Sequence, residues 1–201
     1  MDGLGMPSEH LDFALENGMD AMAITEHGNM SSFCHAHSHS KELKKAGRKF
    51  KFVPGVEAYY HPDLDEWRKD HAAAKEAKAE ERRSKNQAAK VDKDDLGATL
   101  ENESDTKDTS KWFDPVRRRH HLVLLPTSRT GLENIFKLIS RSHKEGFYRF
   151  PRIDRRMLKE HGQDVIVTSA CIGGPFAYDV MHTLRDVQGP DLTAAVLDDP
   201  A

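Results

Sequence analysis

The chain has 201 residues, 37% of them hydrophobic and 31% charged, with a formal net charge of −3. That length suffices for one domain with a real core plus an appendage, and the charge offers no electrostatic argument for nucleic acid, although a domain of a larger DNA-binding protein can itself be acidic. Two cysteines exclude a disulfide framework and fit a reducing cytosol, no apolar run approaches the roughly 20 residues that span a bilayer, and the N-terminus lacks the basic-then-apolar order of a signal peptide.

The first element is a helix with Ser8 as N-cap after Pro7, an apolar face of Leu11, Ala14 and Leu15, and Gly18 as its stop. Ala21 to Thr25 reads as a short buried strand. After "EHGN" a second helix runs from roughly Ser31 to Ala46 and closes at Gly47. "FKFVPGVEAYY" is a second strand, interrupted or bulged at Pro54-Gly55. From 62 to 115 the character changes. Ala72 to Lys90 is almost all strong helix formers with little to bury, and "VDKDDLGATLENESDTKDTSK" has no periodicity. The block therefore reads as a charged insertion, a solvated helix plus a flexible return, with a partner-binding arm as the functional alternative. It divides one domain into a first part, 1–61, and a second part, 116–201.

The pattern then recovers. "HHLVLLPTS" is a buried strand. "TGLENIFKLISRSHKEG" is an amphipathic helix with Leu132, Ile135, Phe136 and Ile139 at helical spacing and Gly146 at its end. "IDRRMLKEHG" is a shorter helix capped by Asp154, and "DVIVTSACIGG" is a fourth strand running into a glycine-rich turn. After Phe176 the signal fades, and "VQGPDLTAAVLDDPA" reads as the start of another helix or a frayed end. Strands alternating with helices imply parallel strands joined by helical crossovers, with ligands beyond the strand C-termini.

Those strand boundaries carry chemistry. The first strand ends in Glu26-His27, the second contains Glu57, the third is opened by His120 and His121, and the fourth runs into Cys171. Carboxylate, imidazole and thiolate are the usual ligands of zinc and similar divalent metals, and twelve histidines are many for this length. The alternative has His121 packed in the core, Cys171 as a small buried hydrophobe and Glu26 as a helix cap. His35, His37 and His39 form a second histidine group, but no acid or histidine at a helpful offset completes it, and the lysines around it mark a solvated face.

"AMAITEHGNM", "KFVPGVEAYY", "HHLVLLPTSRTGLENIFKLIS", "EGFYRFPRID" and "VIVTSACIGG", in that order, resemble the PHP (polymerase and histidinol phosphatase) domain of the bacterial replicative DNA polymerase III alpha subunit. The resemblance covers all but the insertion and the last twenty or so residues. It implies an α/β fold, a distorted (β/α)7 barrel with up to three metals at the strand ends. Carried over residue by residue, the metal ligands fall on Glu26, His27, Glu57, His121 and Cys171, with Asp2 of "MDGL" as a further candidate and Glu26 standing where the family usually has Asp. Arg152 is the candidate phosphate ligand, its forked guanidinium suiting an oxyanion.

The family's opening His-x-His and closing Asp-x-His motifs have no match in the chain, so the barrel is expected to be incomplete at both ends, a fragment of a longer polymerase with no robust phosphoesterase activity of its own. The resemblance implies DNA-templated DNA synthesis by the parent protein. It implies zinc or manganese in the PHP site and magnesium for the polymerase, and a phosphoesterase or 3′–5′ exonuclease role for the domain. The partners would be DNA, dNTPs, the polymerase core, a sliding clamp and a proofreading exonuclease, in the cytoplasm and away from membranes. A free-standing metal-dependent PHP phosphoesterase is the alternative.

Overall fold

The computed structural model describes residues 4–91, 116 and 118–188. Asp2, the aperiodic stretch from 92 to 115 and the C-terminal stretch from 189 lie outside them. The chain divides into two compact units, one of residues 1–62 with 119–201 and one of 63–118.

The larger unit is α/β. It contains α1 (Pro7–Glu16), β1 (Ala21–His27), α2 (Phe33–Lys45) and β2 (Lys51–Tyr60); α3 (Leu64–Val91), in the smaller unit, follows. The larger unit resumes with β3 (His120–Pro126), α4 (Arg129–Glu145), β4 (Phe147–Tyr148), β5 (Phe150–Ile153), α5 (Arg155–His161), β6 (Val165–Thr168) and α6 (Pro175–Gln188). The strands form an open sheet in the order β4-β5-β2-β3-β6, with β1 beside β2.

The expectation of uniformly parallel strands is corrected. β1 and β5 lie parallel to β2, but β3 is antiparallel to both β2 and β6. A parallel pair needs a crossover packed across the sheet, whereas an antiparallel pair only needs the chain to return at the same end. The chain does return there: Tyr60, the last residue of β2, pairs with His120, the first of β3. Nor is β2 broken at Pro54-Gly55. Pro54 pairs only with Ile24 of β1, because β3 joins β2 from Val56 onward, so the missing N–H costs no ladder bond on that side. Gly55 is needed for close approach, since a Cβ there would lie 2.6 Å from Leu125 Cδ2 and 2.9 Å from the Leu124 carbonyl oxygen.

α1 begins two residues earlier than expected, with Met6 rather than Ser8 as N-cap: the Glu9 carboxylate accepts the Met6 N–H at 2.7 Å. α4 is capped by Ser128, which accepts from the Gly131 N–H at 3.1 Å, and α5 by Asp154, which accepts from Met157 at 2.8 Å. The buried face of α4 is centred on Ile135 and Leu138 and flanked by Gly131, Asn134 and Ser142, while Phe136 is exposed at its edge. Gly131 lets the helix press against the turn before β6, where a Cβ would stand 2.0 Å from the Asp164 carbonyl oxygen, and Asn134 donates to the Gln163 carbonyl there. The core joins these residues to Leu11, Val56, Leu122, Leu124, Ile153 and Met157. α6 forms where the sequence pattern fades, and Tyr178 on it meets His120 edge to face at 4.6 Å.

In the smaller unit, Asp63 caps α3 by accepting from the Asp65 and Glu66 N–H groups at 2.8 and 3.1 Å. Trp67 is buried, stacks on His71 and donates its indole N–H to the Val116 carbonyl. Among the described residues no helix is long and apolar enough to cross a membrane.

Candidate metal centre

The sheet brings four of the sequence-predicted residues to one end. His27 closes β1 and is in register with Glu57 on β2. β3 starts at this same end because it runs antiparallel, so His121 sits beside the C-terminal part of β2, paired with Tyr59. Cys171 follows the C-terminus of β6, which runs in the same direction as β2 because β3 is antiparallel to both. Side-chain alternation along β3 then separates the two neighbouring histidines. His121 turns toward Glu57, whereas His120 is buried against Tyr60 and Tyr178.

Glu57 is the hub. One carboxylate oxygen lies 2.7 Å from His121 Nδ1 and 3.4 Å from His27 Nδ1. Cys171 Sγ lies 3.5 Å from the same His121 nitrogen. Ligand atoms of Glu57, His121 and Cys171 all fall within 4.8 Å of one another, and they form the metal-competent cluster among the described residues. The Cys171 turn is built for this placement. Gly173 donates its N–H to the sulfur at 3.4 Å, Gly174 donates to the Cys171 carbonyl at 2.8 Å, and His121 donates to the Gly173 carbonyl at 3.0 Å. The two glycines differ in the room they leave, Gly174 having none for a side chain and Gly173 enough for ordinary contact. A Cβ on Gly173 would rest 3.5 Å from both Cys171 Sγ and His121 Nδ1, and one on Gly174 would collide with the Ser169 carbonyl oxygen at 1.8 Å.

Burial pushes the His121 imidazole below its ordinary pKa; the Glu57 carboxylate works the other way, and the charges of His27 and Arg119 reinforce the lowering. A neutral imidazole is the form that ligates a metal. The donors also fit one by separation. Tetrahedral ligands about 2.0–2.3 Å from a zinc-like ion stand roughly 3.3–3.8 Å apart, as the His121–Cys171 and His27–Glu57 pairs already do. The closer His121–Glu57 contact is the hydrogen bond expected when Nδ1 keeps its proton.

Two predicted residues do other work. Glu26 points away from the cluster, since the strand alternates at His27. Its carboxylate accepts the Ser32 N–H at 2.9 Å and the Ser32 hydroxyl at 2.8 Å, holding the approach to α2. Arg152 is 2% exposed and donates through Nη1 to the carbonyls of Tyr148 and Phe150, at 2.9 and 3.2 Å, so it ties the β4–β5 turn and is not presented to a phosphate. Burial, with the nearby Arg119 charge, lowers its pKa to about 10, which leaves it protonated at neutral pH. In the second histidine group, His39 meets Asp12 of α1 at 2.7 Å and His37 stacks on Phe33. Asp12 is an acid that spacing within the helix could not reveal.

Sequence reasoning missed the aromatic margin. Tyr59 lies against both His27 and His121, at 6.2 and 5.5 Å between ring centroids, and meets Phe150 at 5.1 Å. Arg119 lies over these rings. The available signal was its position two residues before His121 in "RRRHH", which puts it on the same face of the strand.

The chain matches the family model described as "PHP domain" over residues 1–196. It is 30% identical over 163 residues to the DNA polymerase III subunit alpha of Helicobacter pylori, covering 81% of this chain and 9% of that protein. To the Borreliella burgdorferi subunit alpha it is 32% identical, over 87% of this chain and 11% of that protein. The Aquifex aeolicus subunit alpha is 28% identical over 96% of this chain and 14% of its own length. The chain thus spans about a tenth of the length of these relatives.

Proposed function

The chain belongs to the PHP family, and on that premise we propose that it is the PHP domain of a replicative DNA polymerase of the DNA polymerase III alpha type. The whole polymerase would carry out DNA-templated DNA synthesis with magnesium, on DNA and dNTPs, alongside a sliding clamp and a proofreading exonuclease. The domain's own part is a divalent metal centre of the zinc or manganese kind, with a phosphoesterase or 3′–5′ exonuclease role. The observation that carries this reading is the convergence of Glu57, His121 and Cys171, with His27 reaching the same Glu57 oxygen.

Each residue has a distinct task. Glu57 offers the negative charge that a dication needs and aligns both imidazoles through one oxygen. His121, kept neutral by burial, presents a nitrogen lone pair. The Gly173 N–H orients the Cys171 sulfur toward His121. Gly28, at φ 68°, ends β1 tightly: its N–H donates to the Glu57 carbonyl at 2.8 Å, and its own carbonyl meets His143 of α4, so His27 is held in place. A metal bound by this set would act as a Lewis acid on a phosphoryl oxygen and lower the pKa of a bound water.

The test is elemental analysis of the purified chain after equilibration with zinc or manganese and removal of free metal. Retained metal in the wild type, lost in His27→Ala and Cys171→Ser variants that still unfold cooperatively, is expected. A wild-type chain that retains no metal would remove the basis of the reading.

A further inference from the structure

Arg119 stands just before β3, two residues from His121, so both side chains emerge on one face of the sheet. Its guanidinium carbon lies 4.1 Å from the Phe150 ring centroid and 5.7 Å from that of Tyr59, within the range of cation–π attraction. Tyr59 touches His27 and His121 in turn. The two rings therefore hold a guanidinium at the margin of the donor cluster. The side chain is exposed, and no carboxylate among the described residues forms an ion pair with it.

The electrostatic setting favours an anion there. Arg152 is buried under the same Phe150 turn, where the charge of Arg119 is also felt. Two neighbouring cations repel, and an anion bound between the outer one and solvent relieves that repulsion. Cation–π contact uses the charge of the guanidinium without consuming its N–H donors. Those donors form a planar fork matched to two oxygens of a phosphate.

We propose that Arg119, held by Phe150 and Tyr59, binds the phosphate group of a phosphoester ligand seated at the Glu57–His121–Cys171 cluster. The cluster's part as the ligand's second anchor rests on the metal-centre reading; the affinity of the arginine itself does not. Arg119 thus takes the role that Arg152, being buried, does not fill.

Inorganic phosphate titrated calorimetrically into the whole chain tests this, with manganese-loaded and metal-stripped protein and with metal content measured separately. Losing a charge-assisted fork should weaken phosphate binding by about tenfold or more in Arg119→Ala, with metal content unchanged. Arg119→Lys keeps the charge without the fork and should fall between the two. Phe150→Leu should weaken phosphate binding several-fold although Arg119 is still present. If the wild type retains no metal, the metal-centre reading fails, yet the stripped protein must still lose phosphate affinity on Arg119→Ala. Equal affinity in wild type and Arg119→Ala, or no phosphate binding by the wild type in either form, overturns the proposal.

Discussion

Replacing Glu57 with glutamine separates the charge of the hub from its shape. The amide of Glu57→Gln keeps a carbonyl oxygen where His121 Nδ1 now donates at 2.7 Å, so the metal-free fold should lose only about 1 kcal/mol or less. The metal-bound fold should lose far more. Changing a residue that merely supports a ligand costs roughly 10–100-fold in affinity, so losing a ligand's charge should cost at least about 100-fold. At a metal concentration near 100 times the wild-type Kd, binding stabilises the wild type by about 2.7 kcal/mol, whereas the variant, then near its own Kd, gains only about 0.4 kcal/mol. For a domain of this size the difference is roughly 5–9 °C in Tm. Thermal unfolding followed by circular dichroism, with and without zinc or manganese, reads it directly. An equal metal-induced shift in both proteins would refute the reasoning, because the carboxylate charge would then contribute nothing to the centre.

Three further outcomes follow from the packing. Gly174→Ala drives a methyl group into the Ser169 carbonyl and should cost about 3 kcal/mol or more by urea denaturation, with metal affinity falling as the Cys171 turn shifts. Arg152→Ala strips the carbonyls of Tyr148 and Phe150 of their buried donor and should cost about 2–4 kcal/mol in the same assay; a fully stable variant would show that the guanidinium is not structural. Arg141 bridges Glu145 and Glu160, joining α4 to α5, and its hydrogen bond lowers the Glu145 pKa. These groups are partly exposed, so Arg141→Ala should cost only about 0.5–1 kcal/mol. Since the folded-state pKa is depressed, that difference should be complete at neutral pH and shrink as the pH falls from about 5 through the lowered value, as unfolding measured across pH will show.

The strand ends were legible because ligand residues follow or open short apolar runs: His27, Glu57, His121 and Cys171 can all be picked out from the chain. Their geometry was less legible. Two adjacent histidines look equivalent in sequence, and only side-chain alternation on a paired strand sends His121 to Glu57 and His120 into the core. The position of "HH" at the start of its strand was the sign that β3 runs against β2, since a strand whose ligand comes first must enter the site end. Glu26 and Arg152 read as ligands by residue type, but a carboxylate also caps and a guanidinium also holds a turn. Apolar residues alone misplace the face of α4, because Gly131, Asn134 and Ser142 are buried by close approach and hydrogen bonding rather than hydrophobicity. For Arg119 only the spacing from His121 was legible, because its ring partners, Tyr59 and Phe150, are distant along the chain.

The proposed centre requires Glu57, His121 and Cys171 to close on one metal ion. Cobalt(II) titration of the purified chain tests it most directly, because a thiolate ligand produces a charge-transfer absorption that oxygen and nitrogen ligands do not. A saturable thiolate–cobalt band is expected in the wild type, abolished in Cys171→Ser and kept in Cys34→Ser, whose parent residue is exposed on α2. A band that survives Cys171→Ser, or none in the wild type, would contradict the proposed centre.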